Sequence, residues 1–254
     1  MTKQLLIYET AVPLSAGRHA DLSLEPVSSY GFSGAVNAMP LMAVELVRAA
    51  TEYAVVFTAS DDHVMPAVVL GVKSDQNLFL AADGRWSAKY IPAFLRRYPF
   101  VFSSTADGKT LTLCIDETHP GVNREGRGER LFGDDRKPSP YTENVLRFLQ
   151  DYQQQFERTR LFGRRLKELD LLEPMQAQIT TPEGGKLQLG GFLAVSREKL
   201  RALKGDALEM LCRTDELELI YLHLYSMRNF DVVKDRLIGS KALAAGAAGA
   251  GKLA

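Results

Sequence analysis

Cysteine and net charge are both scarce in this sequence, and each shortage excludes a class of protein. The 254 residues include two cysteines, Cys114 and Cys212, which lie far apart and form no CxxC pair. This spacing argues against a disulfide framework and against a thiolate zinc site. Lys plus Arg and Asp plus Glu both number 31, so the formal net charge is zero. No overall field therefore attracts nucleic acid, and we predict no nucleic-acid partner.

Long apolar runs are missing as well. The longest, at 55–59 and 65–72, are far shorter than the roughly 18 to 20 residues that a membrane-spanning helix needs. The N-terminal apolar run is broken at Glu9, so it lacks the uninterrupted core of a secretory signal. We therefore expect a cytoplasmic protein without a membrane span, and signal-independent export stays open as an alternative.

Motifs for catalysis and cofactor binding are not found. The sequence has no GxSxG elbow, no GxGxxG after a strand and no cysteine beside a recognisable base. Its four histidines form no HxH or HExxH motif, so we predict no metal site and no cofactor. His223 shares a predicted helix face with Ser226 and is a weak candidate for a catalytic base; a buried structural histidine is the commoner interpretation.

Hydrophobic periodicity predicts an α+β fold whose β-rich N-terminal lobe packs with a long helix, a second hairpin and C-terminal helices. Short β-branched and aromatic runs within 54–80 indicate an antiparallel meander. The turn signal at 106–108, between PFVFSST and TLTLCID, predicts a hairpin. A long polar loop at 116–138 follows. Ser139-Pro140 then predicts the N-cap and first turn of a helix that runs to about residue 168.

Two further helices are predicted in the N-terminal lobe. PLMAVELVRAATEY has Pro40 at a first helical position and apolar residues at helical spacing. WSAKYIPAFLRRY, residues 86–98, indicates a helix that is interrupted or restarts at Pro92. In the C-terminal lobe, QAQITT and KLQLGGFLAV flank a turn signal at 182–185 and predict the second hairpin.

The chain is expected to divide into three parts. Residues 1–138 form the β-rich lobe with an N-terminal arm, and residues 139–239 form the helix-hairpin-helix lobe, which we expect to make one compact unit with the first. Residues 240–254 are rich in Ala and Gly and are expected to be flexible. The final KLA is open to interpretation as a cloning remnant.

One group of cationic and aromatic side chains is the best candidate for a binding site. Trp86, Tyr90, Arg96, Arg97 and Tyr98 lie within 13 positions of one another. Such a group suits a carboxylate, a phosphate or a planar group. The alternative interpretation is structural, with one arginine paired to a carboxylate at the core edge and the aromatic rings packed.

Four strings carry a family resemblance: NLFLAADGRWSAKYIPAFLRRYPFVF, LFGDDRKPSPY, GGKLQLGGFLAVSREKLRAL and LELIYLHLYSM. Together and in this order they resemble the SapC-like family of bacterial proteins, from about Met39 to Phe230. The name carries an association with surface-layer proteins and is shared with an unrelated peptide-transporter permease, which would need several membrane spans. Asp215 stands where the family pattern leads us to expect a small residue such as glycine.

The resemblance implies a context rather than a reaction. Family members are often encoded beside TonB-dependent receptors and tryptophan-halogenase-like proteins, which implies a peptide or protein partner. Our hypothesis is a non-catalytic accessory or binding protein whose groove is lined by the cationic and aromatic group. A metal- or cofactor-dependent enzyme acting on a peptide or aromatic compound is the alternative, and a surface-layer component is a second one.

Overall fold

The computed structural model describes residues 6–26, 29–60, 63–104, 110–180 and 185–250, and for 241–250 it describes the backbone only. Within these residues the chain has an α+β fold with antiparallel sheets, which confirms the predicted class. The hairpin turn at 106–108, most of the turn signal at 182–185 and the final KLA lie outside the described residues.

Short strands dominate the first half of the chain, and the two longest strands lie in the second half. The strands within the described residues are β1 (Ala11–Pro13), β2 (Ser23–Leu24), β3 (Ala38–Pro40), β4 (Val55–Ala59), β5 (Val64–Val69), β6 (Phe100–Ser104), β7 (Leu111–Asp116), β8 (Val122–Asn123), β9 (Glu129–Arg130), β10 (Leu172–Thr180) and β11 (Lys186–Val195).

These strands form three antiparallel sheets. The central sheet has the order β10-β11-β4-β5-β3, a second sheet has the order β1-β7-β6, and a third has the order β8-β2-β9. β4 and β5 are rich in valine, and every residue of β5 is buried. The central sheet combines strands from both sides of the predicted division at residue 138, so the two parts share one layer.

The helices vary from single turns to one helix of 29 residues. In the described part of the chain three 3₁₀ turns also occur, at Gly31–Ser33, Ala43–Glu45 and Met227–Asn229. The α-helices within the described residues are α1 (Ala16–His19), α2 (Leu46–Ala49), α3 (Ala93–Arg96), α4 (Pro140–Glu168), α5 (Arg197–Ala202), α6 (Asp206–Arg213), α7 (Glu216–Ser226) and α8 (Phe230–Ala250).

Helix α4 confirms the prediction of a long helix that starts after Ser139. The Ser139 hydroxyl accepts a hydrogen bond from the Thr142 amide at 3.2 Å, and Pro140 occupies the first helical position. Further along, the helix packs against β5 through Gly163. A Cβ atom on this residue would lie 1.9 Å from the carbonyl oxygen of Val64, so only glycine permits such a close approach of helix and strand.

The predicted helical start at Pro40 is wrong. Pro40 is the last residue of β3, and the Leu41 amide donates to the Pro66 carbonyl, so the backbone still follows the sheet. The Ala43 amide, which begins the 3₁₀ turn, donates to Thr159 of α4 at 2.8 Å. Helical structure is therefore limited to 43–49, although the predicted apolar positions are buried.

The predicted helix over 86–98 is also shorter than expected. Only α3 is helical, and Pro92 is its N-cap. The segment before it is irregular because the Glu52 carboxylate accepts hydrogen bonds from the backbone amides of Lys89 and Tyr90, at 2.7 and 3.0 Å. These amides are thus held by a side chain from another part of the chain.

Three smaller features complete the comparison. Asp215 has a φ of 59°, in the left-handed region that glycine favours, which accounts for the small residue expected there. The predicted loop at 116–138 contains β8 and β9, which both pair with β2 of the N-terminal arm. The backbone of the segment from Ser240 is helical as far as Ala250, and the flexibility expected for this segment stays a prediction.

Candidate functional site

Two neighbouring cavities lie along α4 and share Arg96 and Phe148 in their walls. The larger has a volume of about 600 Å³ and the smaller about 270 Å³. The residues that α4 contributes extend from Tyr141 to Gln155. At 1.5 Å per helical residue, this stretch is about 21 Å long. We refer to the two cavities together as the α4 groove.

Arg96 separates the two cavities. Its side chain is exposed, and its guanidinium carbon lies 5.3 Å from the centre of the Phe148 ring and 6.0 Å from that of Tyr90. Its Nε donates to the Ile91 carbonyl at 3.0 Å, which fixes the direction of the side chain. Arg96 therefore presents a positively charged edge between two aromatic rings.

Arg97 is buried, with 6% of its surface exposed, and lines the smaller cavity. Its guanidinium carbon lies 4.4 Å from the ring centre of Phe94, 4.8 Å from Tyr152 and 5.6 Å from Tyr8. Its Nε has no hydrogen-bond partner among the described residues. Aromatic faces offset part of the cost of burying a cation, but they do not replace an anionic partner.

Glu45 organises the wall of the larger cavity opposite α4. Its carboxylate is almost fully buried and accepts three hydrogen bonds, each of 2.7 Å, from the Met42 amide, the Ala93 amide and the Tyr90 hydroxyl. One side chain thereby connects the 3₁₀ turn before α2, the start of α3 and the aromatic ring of Tyr90. Glu45 is consequently a positioning residue for the groove.

Positive charge exceeds negative charge around the larger cavity. Arg48, Lys89 and Arg96 line it and are exposed, and none of them belongs to an ion pair within the described part of the chain. Among the described residues, the acidic ones lining it are Glu45, which is buried and hydrogen-bonded, and Asp151, which is exposed. The surface is therefore complementary to an anionic ligand.

The tyrosines of the groove are neutral hydroxyl groups at physiological pH. Burial raises the pKa of Tyr98 to about 12, and it raises the pKa of Tyr152 to about 12 as well. Burial also raises the pKa of Tyr90, and the adjacent Glu45 carboxylate raises it further. Each hydroxyl thus keeps its proton and can donate a hydrogen bond.

The structure brings together four of the five residues predicted for binding. Tyr90 and Arg96 line the larger cavity, and Arg96, Arg97 and Tyr98 line the smaller one. Trp86 lines neither. Its indole Nε1 donates to the Tyr53 hydroxyl at 2.8 Å and to the Tyr90 carbonyl at 3.2 Å, so it supports the groove from behind Tyr90.

Sequence reasoning did not include the α4 side of the groove. Tyr141, Phe148, Tyr152 and Gln155 lie on one side of the helix, at intervals of three, four or seven residues. The aromatic residues at these intervals, beside the apolar stripe, were the signal that could have indicated a second wall.

His223, the weak catalytic candidate, lies in a fully buried junction of β4, β11 and α7. Its Nε2 accepts a hydrogen bond from the Val195 amide at 3.0 Å, and its Nδ1 donates to the Val55 carbonyl at 2.9 Å. Ser226 accepts a hydrogen bond from the Val55 amide at 3.1 Å. Burial lowers the pKa of His223 to about 4. Both ring nitrogens are therefore used to join backbone groups.

The described residues contain no group of three or more His, Cys, Asp or Glu side chains that could hold a metal ion. Among the helices that the structure describes, none has the length and hydropathy needed to cross a membrane.

Comparison with known proteins gives one family. The family model of SapC matches residues 14–232, which include both walls of the groove. No curated protein and no solved structure matches the chain. Since the match covers most of the sequence, the chain belongs to the SapC family.

Proposed function

We propose that this member of the SapC family is a non-catalytic binding protein whose α4 groove holds an extended peptide segment, such as the end of a partner protein. The observation that carries the proposal is the continuity of the two cavities along α4, with aromatic walls and unpaired cations. An extended chain advances about 3.3 Å per residue, so a groove about 21 Å long accommodates about six residues.

The composition of the groove supports binding rather than catalysis. Of the described residues that line the two cavities, none is a histidine, cysteine or serine. His223 is buried, and both of its ring nitrogens bond to backbone groups. Aromatic and arginine side chains, in contrast, contribute most of the binding energy in many protein interfaces. Tyr90, Arg96 and Phe148 supply that chemistry here.

The first experiment uses a defined probe. A synthetic library of N-acetylated hexapeptides with free C-termini is incubated with the purified protein, and retained peptides are identified by ultrafiltration and mass spectrometry. The best-retained sequence is then labelled with fluorescein, and its affinity is measured by fluorescence anisotropy. Peptides from TonB-dependent receptors and halogenase-like proteins, the partners that the resemblance implies, are tested in the same assay.

Matched variants locate the binding site. Arg96→Ala and Phe148→Ala each remove a side chain that both cavities share, and we expect each to weaken binding about tenfold or more. Arg158→Ala and Phe156→Ala are controls on the same helix, because neither residue lines either cavity of the α4 groove. Circular dichroism checks the fold of each variant. Retention of no peptide, or equal affinity of groove variants and controls, would contradict the proposal.

A further inference from the structure

We infer that the smaller cavity of the α4 groove is an anion subsite, and that it takes the C-terminal carboxylate of the bound peptide between Arg97 and Arg96. This inference rests on the proposed function and names the end of the peptide that the groove recognises. Its basis is the buried Arg97, the donor-rich lining of this cavity and the position of the cavity at one end of the groove.

The first observation is the state of Arg97. Its side chain is more than nine-tenths buried, and no carboxylate of the described residues lies within ion-pair distance of it. Three aromatic rings surround the guanidinium group, and Nε lacks a partner among the described residues. A buried cation of this kind gains most from an anion that arrives with the ligand.

The second observation is the lining of the cavity. It includes Arg96, Arg97, Asn144 and Tyr141, and no described lining residue is acidic. Tyr98 also lines it, but its hydroxyl is hydrogen-bonded to Thr118. Burial raises the pKa of Tyr141, so its hydroxyl stays protonated. The cavity therefore offers hydrogen-bond donors and positive charge without a competing carboxylate, which suits a carboxylate ligand.

The third observation is the position of the cavity, which favours a terminal carboxylate over an acidic side chain. The smaller cavity lies against the first two turns of α4, which begins at Pro140, and the larger cavity continues along the helix towards Gln155. A bound peptide whose C-terminus lies at the first turns of α4 places its terminal carboxylate beside Arg96 and Arg97. The positive end of the helix dipole lies at the same place and favours a negative charge there.

The experiment compares two hexapeptide libraries of the same random composition, one with free C-terminal acids and one with C-terminal amides. We expect the wild-type protein to retain free acids about tenfold or more over the matching amides, because amidation removes the charge that pairs with arginine. Arg97→Met removes the positive charge but keeps a side chain of similar length, and we expect it to abolish this preference. Arg158→Met is the matched control and should keep it.

The outcomes separate this inference from the function on which it rests. Equal retention of acids and amides by the wild-type protein would overturn the inference while peptide binding itself stands. Amides retained through Asp or Glu at a fixed position would also overturn it, since the subsite would then take a side-chain carboxylate. Retention of neither library would contradict the proposed function. The wild-type comparison requires no variant, so it decides the question even if Arg97→Met does not fold.

Discussion

The buried histidine at the junction of β4, β11 and α7 makes the stability of the protein depend on pH. His223 accepts the Val195 amide with one ring nitrogen and donates to the Val55 carbonyl with the other. A proton added to Nε2, the accepting nitrogen, would point at the Val195 N–H group. It would also place a positive charge in a site with no exposed surface. The native state therefore resists protonation, and the pKa of His223 falls from 6.5 to about 4.

The direction of the effect follows from proton binding. Between pH 6.5 and 4 the unfolded chain binds the proton and the native state does not, so the free energy of unfolding falls as the pH falls. Above about pH 6.5 both states are neutral and the full stability is present. A pKa lowered from 6.5 to about 4 sets an upper limit of about 3 kcal/mol on this loss of stability, of which about 2 kcal/mol occurs between pH 7 and 4.5.

The perturbation is His223→Gln, whose amide can donate and accept hydrogen bonds but does not titrate. Urea unfolding at pH 7 and at pH 4.5 gives the free energy of unfolding for the variant and for the wild type. We expect the wild type to lose about 2 kcal/mol more than the variant over this range. His63→Gln is the matched control, since it makes the same replacement at a half-buried histidine outside the junction. The reasoning is refuted if the wild type and His223→Gln lose the same stability.

Three further predictions concern positions where the structure leaves little freedom. Gly163→Ala should lower the free energy of unfolding by about 1–3 kcal/mol or more in urea denaturation, because the new Cβ would collide with the Val64 carbonyl; an unchanged midpoint would contradict the close contact. Ser139→Ala should cost about 1 kcal/mol in the same assay through loss of the α4 N-cap, while Ser139→Thr should restore most of it, because its hydroxyl can accept from Thr142 and donate to the Arg130 carbonyl. Glu45→Gln should weaken anisotropy-measured peptide binding more than it lowers stability, since a neutral amide holds Tyr90 and the start of α3 less firmly; equal affinity would remove its positioning role.

Local sequence signals predict an element correctly where its structure depends on residues that are close in the sequence. The cap at Ser139 and the length of α4 follow from a serine, a proline and an apolar period within one segment. The β6–β7 hairpin follows from two β-branched runs around a turn signal. These features are confirmed because the residues that define them lie close together in the sequence.

Predictions failed where a distant side chain holds the backbone. The Glu52 carboxylate accepts hydrogen bonds from the backbone amides of Lys89 and Tyr90, so the helix expected over 86–98 is reduced to α3. The Thr159 hydroxyl accepts a hydrogen bond from the Ala43 amide, and the helical structure expected from Pro40 starts at Ala43. Neither partner can be identified from the local sequence, because each contact joins residues more than 30 positions apart.

The candidate site shows the same limit. The cluster of Tyr90, Arg96, Arg97 and Tyr98 could be chosen from its composition, and the structure places these residues in the two cavity walls. The other wall belongs to α4, about 50 positions later in the chain, and the packing of α4 against β5 and the 3₁₀ turn at Ala43–Glu45 brings it there. Trp86 was close in sequence but lies behind the wall, since the irregular segment turns its indole towards Tyr53.

The α4 groove as a peptide-binding site is the central claim, and a crystal structure of the protein with the best-retained hexapeptide tests it most directly. The account predicts peptide density along α4 between Asn144 and Gln155, with the terminal carboxylate beside Arg97 and side chains against Phe148 and Tyr90. A peptide bound to another surface, with the groove filled only by solvent, would contradict it.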